Sequence, residues 1–118
     1  AKLCNLVGPA RARDIMLSAR FFPTSEAADM GLVNFTVDNS ADKDALLTAV
    51  TDYATRVAGN APMTTGAAKA AINAWERGGR DEEVQRVKAM VDACFDSNDY
   101  KEGRAAFAAK RTPKFNGN

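Results

Sequence analysis

A single run of strand-forming residues stands in a chain whose other periodic segments read as helices. Leu32-Val33-Asn34-Phe35-Thr36-Val37 is rich in β-branched and aromatic residues and partly alternates. One strand cannot make a sheet, because its backbone donors and acceptors need a neighbouring ladder. Either the run is not a strand, or its partners lie outside these 118 residues. The opening of the chain points to the second option. Ala1 stands where an initiator methionine would, and Leu3, Leu6 and Val7 already show the i, i+3, i+4 spacing of a helix in progress. The two features together lead us to expect a chain that lacks an N-terminal part.

The rest predicts a mainly α chain. Gly8-Pro9 breaks the opening turn, and Pro9 restarts a helix at the one position where its missing N–H costs nothing. Ala12, Ile15, Met16 and Ala19 line one face of that helix to about Arg20. Phe21-Phe22-Pro23 reads as a packed loop. A short helix is expected from Thr24 or Ser25, with Gly31 closing it in the left-handed conformation. After the strand run, Asn39 or Ser40 is placed to cap a helix. Its apolar stripe would be Leu46, Ala49, Val50, Tyr53, Ala54 and Val57, ending near Gly59. Pro62 opens the next helix, with Ala67, Ala70, Ala71, Ala74 and Trp75 as its packed side and Gly78-Gly79 as its stop. Asp81, Glu82 and Glu83 suit the first turn of a further helix, whose apolar face is Val84, Val87, Val91, Cys94 and Phe95.

The last fifth of the chain, Ser97 to Gly117, is the densest in signals. Asp99 as N-cap and Glu102 three residues later predict a capping box. Lys110 and Arg111 are expected in the last turn, where positive charge suits the helix dipole, and Pro113 stops the helix.

Composition excludes several chemistries. The chain has no histidine, so a His-based triad, a His general base and the commonest metal ligand are absent from it. Cys4 and Cys94 are far apart and have no CxxC partner, so no zinc or redox motif and no metal site is expected. Two isolated cysteines suit a reducing compartment, read here as the cytoplasm. The formal net charge of +1 gives no general attraction to nucleic acid or to an anionic membrane. Arg11, Arg13 and Arg20 are the nearest approach to a basic patch, and Asp14 interrupts them. No apolar run approaches the ~20 residues of a membrane helix.

Two motifs then carry a family resemblance. Leu6-Val-Gly-Pro-Ala10, Ala12-Arg-Asp-Ile-Met-Leu-Ser-Ala-Arg20, Glu26-Ala27 and Gly31-Leu32-Val33-Asn34 make up the first. The second is Ser97-Asn-Asp-Tyr-Lys-Glu-Gly103, Ala106-Phe107, Lys110-Arg111, Pro113 and Phe115. In this order, with helical segments between, the chain resembles the enoyl-CoA hydratase/isomerase (crotonase) superfamily over essentially all its length. Members are roughly twice this long.

The resemblance implies the C-terminal part of a crotonase-like fold. Residues 1–37 would be the last turn of the ββα spiral core, and 38–118 the helical trimerisation region. The Leu32–Val37 strand would pair with the missing half. It further implies a parent enzyme acting on acyl-CoA thioesters, with enoyl-CoA hydration the expected reaction. Two backbone N–H groups would hold the thioester oxygen as enolate charge develops, and in the hydratases two glutamates would handle water and the α-proton. Those groups precede the segment that begins here, so no catalytic residue is assigned in this chain and the chain alone is expected to be inactive. Coenzyme A enters as part of the substrate, with no separate cofactor.

At the tail, the matching positions imply a CoA-binding set of Phe107, Lys110, Arg111, Lys114 and Phe115. An aromatic face can stack on adenine, and the cations can pair with phosphates. The chain departs from the family pattern at Ala109, where an acidic residue is common, and at Asn116, where a lysine is common. The expected partners are an acyl-CoA thioester and further copies of the chain in a trimer or hexamer. The alternative reading is a non-catalytic helical oligomerisation module.

Overall fold

Among the described residues, 2–38 and 40–118, the regular structure of the computed structural model is helical. The elements are α1 (Lys2–Ser18), α2 (Thr24–Asp29), α3 (Ala45–Ala58), α4 (Pro62–Glu76), α5 (Asp81–Asp96) and α6 (Asn98–Ala108). They fall into two packing units, Ala1–Val50 and Thr51–Asn118, divided within α3.

The first unit is organised by two glycines. Gly8 has φ 79° and ψ 160°, so α1 is two helical pieces joined at a kink, with Pro9 starting the second. Gly31 has φ 76° and closes α2. There the Leu32 amide donates to the Ala27 carbonyl at 2.9 Å and the Gly31 amide to the Ala28 carbonyl at 2.9 Å, the paired bonds of a left-handed helix stop. Between kink and stop a small core forms from Val7, Ala12 and Met30, with Leu3, Ile15, Phe22 and Leu32 packed around it. Arg20 ties the two helices on the outside. Its guanidinium donates to Asp14 at 2.7 Å and to both Glu26 carboxylate oxygens, while Arg11 donates to the Asp29 carbonyl at 3.3 Å.

The predicted strand at Leu32–Val37 does not form. Residues 32–34 bend and 35–38 have no regular structure. The local reason is the helix stop. The Leu32 and Val33 amides both turn back to the Ala27 carbonyl, at 2.9 and 3.4 Å, and no ladder partner lies alongside among the described residues. The expected cap also differs. Asn39 lies outside the described residues, and the Ser40 amide is held by the Asp38 carboxylate at 2.9 Å. The next helix starts only at Ala45, after Asp42 has accepted the Asp44 amide at 2.9 Å.

In the second unit α4 packs on α5 and α5 on α6. The buried apolar residues here are Ala67, Ala74 and Ala106, so close helix approach rather than bulk fills the interior. Gly78 (φ 91°) and Gly79 (φ 64°) end α4 with the same paired bonds seen after α2. Ser97 makes the corner between α5 and α6. Its hydroxyl donates to the Cys94 carbonyl at 2.6 Å and accepts from the Tyr100 amide at 3.0 Å. Ser97, not Asp99, is therefore the N-cap, and the predicted capping box is absent. Ser97→Ala should cost about 1 kcal/mol of stability, the usual worth of a helix cap. Urea denaturation measures it, and an unchanged midpoint would show that the cap bond carries nothing.

Several apolar faces are bare. Met16 and Trp75 are exposed where periodicity predicts packing, Phe21 is exposed where a packed loop is expected, Phe107 is exposed as well, and no residue of α3 is buried. Periodicity marks which face of a helix is apolar but does not supply what covers it.

Candidate functional site

The tail beyond α6 folds back along that helix, beginning with a strained turn. α6 ends at Ala108, and Lys110 sits at φ 52°, in the region that favours glycine. The Lys110 amide donates to the Phe107 carbonyl at 3.2 Å and the Arg111 amide to the Ala106 carbonyl at 3.0 Å. This is the left-handed stop again, now with a lysine in the glycine position. Lys110 and Arg111 thus lie past the helix rather than in its last turn, and the chain reverses toward Glu102.

Two carboxylates on α6 receive the returning chain. Glu102 accepts from Arg111 Nη1 at 2.6 Å, Arg111 Nη2 at 2.8 Å and the Lys114 amide at 2.8 Å. Asp99, buried at 3% exposure, accepts the Asn116 amide at 2.7 Å and the Gly117 amide at 2.8 Å, one on each oxygen. The Asn118 carbonyl oxygen in turn accepts from the Asn98 and Asp99 amides, at 2.7 and 3.3 Å. Those are donors that the first turn of α6 leaves without an intrahelical partner.

The Arg111 guanidinium, and after it the Lys114 amide, hold the Glu102 carboxyl at about 2, below its ordinary 4.5. A depressed acid contributes its full stabilisation above its unfolded value and loses it as pH falls through the folded value. The Glu102 contacts should therefore persist below pH 4.5 and release as pH approaches about 2. Amide exchange at Lys114, followed by NMR across that range, reports the release. Loss of protection already near pH 4.5 would contradict the arrangement.

The returning tail also walls an apolar groove. Ala67 and Ala71 of α4, Val91 and Phe95 of α5, Phe107 of α6 and Phe115 of the tail line a space of about 630 Å³. Phe115 lies against Gly103, where an added methyl carbon would stand 3.6 Å from the ring. Phe95 and Tyr100 meet edge to face at the α5–α6 corner, with centroids 5.3 Å apart.

The structure thus divides the expected CoA-binding set. Phe107, exposed at the rim, and Phe115, half-buried in the wall, share the groove. Arg111 and Lys114 line a separate polar hollow with Asn98, Glu102, Thr112 and Asn116. Lys110 lines neither and occupies the turn. Arg111 has its guanidinium committed to Glu102, whereas the Lys114 side chain is exposed. Sequence reasoning assigned Asp99 and Glu102 to a cap and missed that they hold the tail. The available signal was their i, i+3 spacing on one helix face, opposite a proline-stopped basic segment. Among the described residues no cluster of three His, Cys, Asp or Glu side chains could hold a metal ion.

Comparison with known proteins gives this arrangement a setting. The family model described as enoyl-CoA hydratase/isomerase matches residues 1–118. A probable mitochondrial enoyl-CoA hydratase of Dictyostelium discoideum is 31% identical over 95% of this chain and 39% of its own length. A peroxisomal Delta(3,5)-Delta(2,4)-dienoyl-CoA isomerase of Arabidopsis thaliana is 30% identical over 97% of this chain and 40% of its own length. The crystal structure of an enoyl-CoA hydratase from Bacillus anthracis superimposes with a TM-score of 0.83 at 29% identity, covering 99% of this chain and 44% of that one. The chain thus spans about 40% of the length of the curated relatives it matches.

Proposed function

Because the chain belongs to the enoyl-CoA hydratase/isomerase family, matching its model over residues 1–118, we propose that it is the subunit-packing and CoA-facing part of an acyl-CoA thioester enzyme. Its fold corresponds to the C-terminal helical portion of crotonase-fold structures. The proposed reaction is hydration of an enoyl-CoA, with coenzyme A present as part of the substrate. The reacting groups are not assigned to any residue of this chain. The carrying observation is the pairing of the family match with bare apolar helix faces. Leu46, Leu47 and Val50 on α3, Ile72 and Trp75 on α4, and Phe107 on α6 are all exposed. Exposed apolar surface on this scale is characteristic of an association face.

In this reading the chain packs against further copies of itself, and the tail lies near the nucleotide end of CoA. Lys110 and Lys114 are the cations proposed to meet phosphate, and Phe115 or Phe107 the ring proposed to meet adenine. No helix among the described residues is long and apolar enough to cross a membrane. Two free cysteines, Cys4 and Cys94, support a reducing compartment, with the cytoplasm proposed.

Sedimentation at rising concentration tests the packing role. Self-association with binding of a hydrophobic dye is the expected result, and a dye-silent monomer overturns it. In the active enzyme that carries these residues, Lys110→Ala and Lys114→Ala should raise KM several-fold for a CoA thioester. A thioester lacking the nucleotide should be unaffected. Equal effects on both substrates would remove the CoA role.

A further inference from the structure

We propose that Asp99, Glu102 and Arg111 form a positioning clasp, which fixes the returning tail on α6 so that Lys114 and Phe115 meet the nucleotide end of CoA in one set geometry. The inference rests on the CoA reading above and takes Arg111 out of the CoA-binding set that the resemblance implies: Arg111 serves the clasp rather than a phosphate.

Three observations carry it. First, the acceptors sit on a helix and the donors on the tail. Asp99 and Glu102 are three residues apart on α6, so their carboxylates share a face and move as a rigid unit. Second, the grip is spread along the tail. Glu102 takes both Arg111 nitrogens and the Lys114 amide, and Asp99 takes the Asn116 and Gly117 amides. Phe115 is therefore flanked on both sides by clasped amides, which hold its ring against Gly103. Third, the tail begins with Lys110 in a left-handed conformation that a lysine adopts at a cost. A strained turn persists only where the surroundings over-determine it, and the clasp supplies that determination.

Charge bookkeeping assigns the cations. The Arg111 guanidinium is paired in a two-pronged contact with Glu102, the geometry to which guanidinium is best suited. A phosphate that recruited Arg111 would have to break that pair. Lys114 hydrogen-bonds the clasp through its backbone amide, and its exposed ammonium, whose charge also helps to depress the Glu102 carboxyl, is left to face a ligand.

The test uses the active enzyme that carries these residues, with coenzyme A and pantetheine as probes and calorimetry as the readout. Amide exchange at Lys114, Asn116 and Gly117 reports tail order in the same samples. Glu102→Gln keeps shape at a half-buried site and should weaken coenzyme A binding roughly tenfold, while speeding Lys114 exchange and leaving pantetheine unchanged. Arg111→Gln should lose the same factor, and the double variant no more than either single one. Lys114→Ala should weaken coenzyme A binding too, and combined with Glu102→Gln it should lose less than the sum of the two, because the clasp acts through Lys114. Asp99→Asn provides a second variant that retains an acceptor oxygen, and circular dichroism checks that all variants keep their helix content.

Additive losses in the Glu102–Arg111 cycle would overturn the clasp, as would unchanged tail exchange in Glu102→Gln. A loosened tail with unchanged coenzyme A affinity would overturn the positioning role alone. A wild-type enzyme whose coenzyme A affinity is no higher than its pantetheine affinity would instead bring down the CoA reading itself, and the positioning role with it.

Discussion

Replacing Asp99 with alanine is expected to free residues 116–118 from α6 and to lower the unfolding free energy by about 2 kcal/mol. Asp99 is 3% exposed, and each of its oxygens accepts one amide of the returning chain. Hydrogen bonds to a charged acceptor are the stronger kind, and removing the acceptor leaves the Asn116 and Gly117 donors without a partner. The loss stays below the sum of two such bonds because the tail is at the surface and water can reach the released amides. The first turn of α6 is weakened too, since the Asn118 carbonyl that accepts the Asn98 and Asp99 amides is brought there by the same docking. Urea denaturation gives the stability change, and faster exchange at Asn116 and Gly117 gives its location. A wild-type midpoint with slow tail amides would show that other contacts hold the tail.

Gly103 should respond with opposite signs to small and to branched substitutions. It lies within α6, where glycine costs about 1 kcal/mol relative to alanine. An added methyl carbon would meet the Phe115 ring at 3.6 Å, an ordinary contact distance. Gly103→Ala should therefore be neutral or stabilising by up to about 1 kcal/mol. Gly103→Val extends a branch into the ring and should expel it, at a cost of about 2 kcal/mol from overpacking and lost contact. Thermal unfolding separates the two. If valine were as well tolerated as alanine, Phe115 would not be fixed against the helix.

The helices were legible in the sequence because their boundaries are written in residues of special backbone behaviour. Pro62 starts α4, Gly78-Gly79 end it, Gly31 ends α2, and Gly8 divides α1. The family was also legible, from two motifs near the ends of the chain. The role of Asp99 was not. Ser97, Asn98 and Asp99 are all residue types that cap helices, and a spacing rule cannot tell which one does. It also cannot show that amides seventeen and eighteen positions later will compete for the carboxylate. Leu32–Val37 failed as a strand for a related reason. Its β-forming composition describes side chains that suit a sheet, whereas the backbone amides of Leu32 and Val33 were already claimed by the end of α2. Trp75 and Met16 stayed bare because a helical stripe encodes an apolar face without encoding its neighbour.

Among the described residues, the tail contacts to Asp99 and Glu102 involve main-chain amides at Lys114, Asn116 and Gly117, with Arg111 as the side-chain donor. Such a hold is largely blind to what the tail residues are. Asparagine at 116, in place of the lysine that the resemblance implies, is then silent for docking, because asparagine and lysine offer the same amide. Proline is one exception, since it has no N–H to offer, and position 117 is another, because its φ of 80° favours glycine. The tail can therefore drift in charge and shape while its path along the helix stays the same.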